Sequence, residues 1–214
     1  MDGPAAALGL SEPAERSGVA GILAELRREA CACRLCASMG PHRKPPPDPP
    51  GLAATGCMLV AEAPAPDGSD LLGATRAVLR SAIRGMHDPR FREVEDLFFV
   101  THAVRCIPPH PAGPDRARPP SRVEWRTCSP YLDFEIRALH PRVIVTIGGR
   151  AAEAVLGRKV AIRTEHEHRH RLGGAELITL LAPSPHNRAS LKAVGLTVES
   201  YAARLAELFA TLLP

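Results

Sequence analysis

Four cysteines constrain this chain more than any other feature. Cys33 and Cys36 form the pair Cys33-Arg34-Leu35-Cys36, while Cys106 and Cys128 stand alone far downstream with 21 residues between them. One pair plus two singles makes a four-thiol set, and binding it must draw the N-terminal part of the chain against its middle. Thiolates are soft ligands that suit zinc or an iron–sulfur cluster. Two such pairs would favour a zinc ribbon. A wide loop closed over a cluster accounts for the observed spacing at least as well as a compact zinc knuckle. On the plainer reading, Cys106 and Cys128 are small buried hydrophobes. Cys57, inside an apolar run, reads as core, and Cys31 is a spare that could replace Cys33 as ligand.

A chain of 214 residues with 45% hydrophobic and 23% charged content is long enough for one domain with a substantial core. We expect residues 1–12, small and polar, to be disordered and residues 13–214 to form that single domain, acting as a monomer. No apolar run approaches the ~20 residues needed to span a bilayer, and no basic segment followed by an apolar stretch marks a signal peptide. The expected compartment is therefore the cytoplasm, where thiols stay reduced and clustered cysteines bind metal more often than they pair. The net charge is +4 and the pI about 8.9. Lysine occurs only at Lys44, Lys159 and Lys192, so arginine supplies most of the positive charge. That balance suits a phosphate-bearing partner, and nucleotide composition of the gene could equally raise the arginine, alanine and proline content.

Hydrophobic periodicity orders the rest. Residues 12–29 carry Val19, Ile22, Leu23 and Leu26 at helical spacing and deliver the first cysteines at the helix end. Prolines in 41–51 exclude helix or interior strand. Short apolar runs at 57–61, 97–104, 143–147 and 177–181 read as strands. Helices are predicted over 71–86, 121–140 (with Ser121 and Glu124 as a capping box), 150–156 and 198–212. Strands alternating with helices argue for an α/β fold: three layers, α/β/α, around a four-stranded parallel sheet. Ligands in such folds bind beyond the carboxyl ends of the strands, which points to the loops 62–70, 101–110 and 182–190.

Five motifs in order carry a family resemblance. They are Cys33/Cys36; Ala61-Glu62-Ala63-Pro64-Ala65; Thr101-His102-Ala103-Val104-Arg105-Cys106-Ile107-Pro108-Pro109; Cys128-Ser129-Pro130-Tyr131-Leu132; and Pro141-Arg142-Val143-Ile144-Val145-Thr146-Ile147-Gly148. In this order and spacing the chain resembles the iron–sulfur uracil-DNA glycosylases of families 4 and 5, from about residue 20 to residue 190. The resemblance implies a uracil-DNA glycosylase-like fold and a structural [4Fe-4S] cluster on Cys33, Cys36, Cys106 and Cys128. It also implies hydrolysis of the N-glycosidic bond of a base flipped out of DNA. The DNA partner would carry uracil or another deaminated base.

The departures from the family pattern are specific. Glu62 keeps the carboxylate that family 4 has in the first loop, whereas Ala63-Pro64-Ala65 looks more like family 5. Ala63 stands where other branches carry a water-activating acid or amide. Glu62 or Asp67 is then the candidate to orient water, and on the other reading both are solvated loop carboxylates. Leu71 falls where family 4 has a stacking phenylalanine, and lacks the flat π-face that makes base stacking worth ~1–3 kcal/mol. His102 replaces the asparagine that reads uracil. An amide presents donor and acceptor on one face, and an imidazole presents one of each at different edges. A buried histidine bonded to backbone is the alternative.

The final loop, Ala182-Pro183-Ser184-Pro185-His186-Asn187-Arg188, resembles the family's HPSP motif. In one register Ala182 takes the catalytic histidine's place and His186, four residues on, takes over its role. In the other, His186 itself fills the slot. The resemblance thus implies catalysis by Glu62, His186 and Asp67, base contacts from Ala63, Pro64, Leu71, His102 and Asn187, and DNA contacts from Ser184, Pro185 and Arg188. The run 163–171, rich in His, Glu and Arg, reads as an exposed edge or loop near the DNA. A catalytically silent or slow lesion-binding relative is the competing reading. It draws on the lost stacking aromatic, reading asparagine and motif histidine.

Overall fold

The strands at 57–61, 99–102 and 143–147 are buried on both faces, so they need a helical layer on either side. A computed structural model of the chain describes residues 18–42, 55–184 and 187–213. The expected disordered start, and the site candidates Pro185 and His186, lie outside the described residues.

In chain order the elements are α1 (Gly18–Ala32), β1 (Cys57–Ala61), α2 (Gly73–Gly85), α3 (Val94–Leu97), β2 (Phe99–His102), β3 (Pro109–His110), β4 (Gly113–Ala117), α4 (Arg122–Leu139), β5 (Val143–Ile147), α5 (Gly149–Leu156), β6 (Arg169–Leu172), β7 (Ala175–Leu180), α6 (Arg188–Ala193) and α7 (Val198–Ala210). A short 3-10 turn, Ala37–His42, follows the Cys33/Cys36 pair. The sheet runs β2-β1-β5-β7-β6, with the first four strands parallel and β6 antiparallel at the edge. The four parallel strands are those expected. The fifth was hidden because its alternation of Arg169, His170 and Arg171 reads as solvated, which is how an edge strand protects itself from pairing with another chain.

Alternation in the strands builds two apolar layers. Cys57, Leu59 and Ala61 of β1 join Val143, Val145 and Ile147 against α2 and α7. Met58, Val60 and Ile144 face the other way, against α1, α4 and α5. The architecture is therefore α/β/α.

Helix α4 starts at Ser121, whose hydroxyl accepts the Glu124 amide at 3.3 Å while the Glu124 carboxylate accepts the Ser121 amide at 2.7 Å. This is the expected capping box. Pro130 sits inside α4 and has no N–H to give Arg126. The Ser129 hydroxyl donates to the Arg126 carbonyl instead, at 3.0 Å, so the turn carrying Cys128 stays helical.

Connections set the site. After β1 the chain leaves through α2 on one face towards β2, and after β5 it leaves through α5 on the opposite face towards β7. Neighbouring strands whose connections depart in opposite directions leave a crevice between their carboxyl ends, and in open α/β sheets ligands bind there.

Candidate functional site

The crevice between the ends of β1 and β5 is lined by Glu62, Gly148, Gly149, Arg150, Lys159 and Asn187, among others. Glu62 is the first residue after β1. Its Oε1 accepts the Arg150 amide at 3.0 Å, placing the carboxylate at the N-terminus of α5, where unpaired amides and the helix dipole favour negative charge. Burial raises its pKa, while the Arg150 amide and charge hold it down and nearby Glu153 adds a further push upward. Gly148 makes this geometry possible. Its φ is +91°, and a Cβ there would lie 2.5 Å from Glu62 Oε1. Arg150 is itself tied to Glu153, NH1 to Oε2 at 2.7 Å.

Beyond Glu62 the loop turns back on itself. Asp67 is exposed and its Oδ1 accepts both the amide and the hydroxyl of Ser69, at 2.9 and 2.6 Å, forming a local Asx turn. Ala63 is half-buried and Pro64 buried. Leu71 packs into the α2/α7 core. His102, at the end of β2, is 3% exposed, and its Nε2 donates to the Asp70 carbonyl at 2.7 Å. Burial is the main force that lowers its pKa to about 4. The ring is neutral at physiological pH and ties the end of β2 to the 62–70 loop.

The third loop follows β7. Ser184 is buried, and the Asn187 side-chain amide donates to the Ala182 carbonyl at 3.1 Å. Ala182 and Asn187 line the crevice opposite Glu62, and Arg188 opens the six-residue α6. Of the site candidates, Glu62 and Asn187 are thus brought together, with Ala182 beside them, whereas Ala63, Pro64, Asp67, Leu71, His102, Ser184 and Arg188 do not line that crevice.

The four cysteines are gathered in a second place. Cys33, Cys36, Cys106 and Cys128 line one pocket with Ala30, Met39, Val104, Arg105, Thr127 and Tyr131. Among the described residues no disulfide forms. Burial pushes the Cys128 thiol up to about 12, with Cys106 and Cys36 adding repulsion. A buried thiol that resists ionisation beside three half-buried ones fits a cationic inorganic group. Among the described residues no three His, Cys, Asp or Glu are grouped to hold a single metal ion. A zinc ion would require four sulfurs each at ~2.3 Å. An iron–sulfur cluster likewise takes four thiolates, and the four cysteines share one pocket. Cys57 is buried in the opposite layer, and Cys31 does not line this pocket.

Two polar networks hold the cysteine-bearing segments in place. Arg105, between β2 and Cys106, donates its backbone amide to Cys128 Sγ at 3.3 Å. Its guanidinium pairs with buried Glu135 of α4, NH1 to Oε1 at 2.7 Å, and the Thr101 hydroxyl donates to Glu135 Oε2 at 2.6 Å. Glu124 accepts from Ser38 at 2.6 Å and from Arg118 at 2.8 Å, fastening the turn after Cys36 to the start of α4. Sequence reasoning did not single out Arg105, Glu135, Ser38, Arg118 or the Gly148–Arg150 turn as site residues. The glycine pair after a β-strand was the one available signal, since the other partners meet only in three dimensions.

The run 163–171 divides in the structure. Arg169–Leu172 is the edge strand β6, but His166 is buried against Tyr201 of α7. Its Nδ1 faces the sheet, which alternation of charge could not reveal.

Comparison with known proteins gives the family. The model of the uracil DNA glycosylase superfamily matches residues 56–209. A type-4 uracil-DNA glycosylase of Sulfurisphaera tokodaii is 27% identical over 140 residues, 64% of this chain and 59% of that relative. A second type-4 enzyme, from Pyrobaculum aerophilum, is 33% identical over 105 residues, 47% of this chain and 48% of its own length. A type-5 uracil-DNA glycosylase of Mycobacterium leprae is 42% identical over 59 residues, 27% of this chain and 23% of that protein. The chain therefore spans about half the length of the first curated relatives it matches.

Proposed function

Since this chain belongs to the uracil DNA glycosylase superfamily, we propose that it hydrolyses the N-glycosidic bond of uracil or another deaminated base in DNA, as a step of base excision repair. The observation that carries this reading is the position of Glu62. A carboxylate raised in pKa by burial stands in the crevice at the strand ends, held by the amide of Arg150.

In the proposed reaction, water attacks the sugar carbon as its bond to the base breaks. The bonding electrons leave with the base as an anion, and the water's proton passes to an acceptor. Glu62 Oε1 is committed to the Arg150 amide, so Oε2 is the atom that can orient the water and take its proton. Asp67, on the exposed turn of the same loop, is the second carboxylate within this segment. Asn187 lines the crevice with Glu62 and would contact the base there, while Ala63 and Pro64 shape the loop behind Glu62. Ser184, Pro185 and Arg188 serve the DNA strand, and His186 is the candidate to stabilise the departing anion. Leu71 and His102 support the first loop from beneath.

Cys33, Cys36, Cys106 and Cys128 would hold a [4Fe-4S] cluster. Held there, it would cross-link the segment after α1, the segment after β2 and α4, a structural role, since hydrolysis transfers no electrons.

The three motif departures favour a second reading, a slow or silent lesion-binding relative. Leu71 is packed in the core, His102 spends its Nε2 on backbone, and Ala182 stands at the motif's first position.

Base release from oligonucleotides carrying uracil, hypoxanthine, xanthine or a thymine mismatch separates the two. Wild type is run beside Glu62→Gln, His186→Ala and His102→Asn. The enzyme reading expects release from at least one substrate, falling by about 10²-fold or more in Glu62→Gln. Release unaffected by that change sinks the role of Glu62. No release from any substrate, with lesion-selective binding, establishes the silent relative.

A further inference from the structure

Leu181 is the first residue beyond β7 and leads directly into the 182–188 loop. Both of its backbone polar groups are taken by buried side chains. Its amide donates to His166 Nδ1 at 3.4 Å, and its carbonyl accepts from the Tyr201 hydroxyl at 2.9 Å. The two rings meet edge to face, with centroids 5.2 Å apart and planes at 82°. On either side the backbone is secured in turn: Leu180 accepts the Gly148 amide at 2.9 Å, and Ala182 accepts the Asn187 side chain.

Holding His166 there is costly, which argues that the contact matters. Glu167 adopts a left-handed φ of +61°, rare for a residue with a side chain. Because Nδ1 accepts a hydrogen bond, the neutral ring carries its proton on Nε2. That Nε2 is buried with no hydrogen-bond partner and faces Glu167 Oε1 at 3.8 Å. Glu167 is gripped by Arg204 of α7 at 2.7 Å, and its amide donates to the Thr179 carbonyl of β7 at 2.7 Å. The whole 165–168 turn is thereby pinned to the sheet beside Leu181.

We propose that His166 and Tyr201 are positioning residues that clamp Leu181 and so fix Ala182, where the last loop begins, at the crevice. The clamp is a property of the fold, and only its effect on catalysis rests on the glycosylase reading. Neither side chain lines the crevice, so each acts through Leu181. The imidazole must stay neutral to accept the amide, and a hydrophobic ring of similar size cannot replace it.

The test uses the full chain and two readouts. Hydrogen–deuterium exchange reports the loop directly, with the amides of β1 and β5 as internal controls. Single-turnover base release from a uracil-containing oligonucleotide reports its consequence. In His166→Leu and in Tyr201→Phe, exchange across 181–187 should rise about tenfold with the controls unchanged, and base release should fall about tenfold with DNA affinity little altered. His166→Asn, whose side-chain oxygen overlies Nδ1, should restore both. Tyr201→Phe removes a single oxygen atom and carries the test if His166→Leu fails to fold. Unchanged exchange in both variants overturns the clamp. Altered exchange with no base release by the wild type supports the clamp and overturns the glycosylase reading.

Discussion

The carboxylate of Glu62 occupies the space that a side chain at residue 148 would need: a Cβ on Gly148 would lie 2.5 Å from Oε1. One loop leaves β1 and the other leaves β5, so their closeness fixes the crevice at the strand ends. Gly148→Ala must also place an alanine at a φ of +91°. Backbone strain of that kind costs about 1–3 kcal/mol, before any displacement of the carboxylate. We expect a lower urea midpoint together with reduced base release. A variant of wild-type stability and activity would show that residue 148 does not constrain Glu62.

The cysteine pocket makes a separable prediction. Cys36→Ser or Cys128→Ser should abolish broad visible absorption and bound iron in freshly purified protein, and lower its thermal midpoint. Cys57→Ser lies in the opposite layer and should leave the colour intact. Stripping iron with a chelator should destabilise the wild type in the same way, because the cluster would cross-link three segments far apart in sequence. Colourless wild-type protein carrying stoichiometric zinc would overturn the assignment.

Glu124 links the turn after Cys36 to α4, and it is 1% exposed. The Arg118 guanidinium, with Ser38 and Ser121, holds its carboxyl down at about 2. A carboxylate depressed in the folded state stabilises fully above its unfolded value of ~4.3, and that contribution is lost as pH falls towards ~2. Glu124→Gln should therefore cost about 2–3 kcal/mol at neutral pH and flatten the acid limb of the stability profile below pH ~4. If the cysteine pocket depends on this link, the variant should also lose iron faster to a chelator.

Much of this was legible because local sequence and global fold agree. The runs at 57–61 and 143–147 coincide with β1 and β5, and Ser121 and Glu124 cap α4 as their spacing requires. The four cysteines were legible as a set, since thiols so far apart in sequence share one pocket. Edge strand β6 and the β3–β4 hairpin were not, because short strands with a solvated face lack the apolar runs that mark the central ones. Glu62 was visible as a carboxylate, but its bond to the Arg150 amide spans 88 residues and leaves no local trace. His166 was hidden for the opposite reason. Its side chain is buried although it sits within a charged run, held by α7 and the end of β7.

His102 gives a pH prediction whose sign follows from its surroundings. Burial disfavours the imidazolium and lowers the folded-state value to about 4, although the bond to the Asp70 carbonyl acts the other way. The unfolded chain binds a proton near pH ~6.5, so between ~6.5 and the folded value the unfolded state carries more protons. Stability is therefore complete above pH ~6.5 and declines as pH falls towards ~4, by about 2–4 kcal/mol in all. His102→Gln isolates this effect. Glutamine places a side-chain nitrogen where Nε2 stands and can keep the bond to Asp70, but it does not titrate. Urea midpoints measured from pH 7 to pH 4 should fall more steeply in the wild type than in His102→Gln. Parallel profiles would mean that His102 is reached by water and protonates freely, leaving its ring able to face a base. A steep wild-type profile, flattened by the substitution, would establish that the histidine in the asparagine position holds up the first loop.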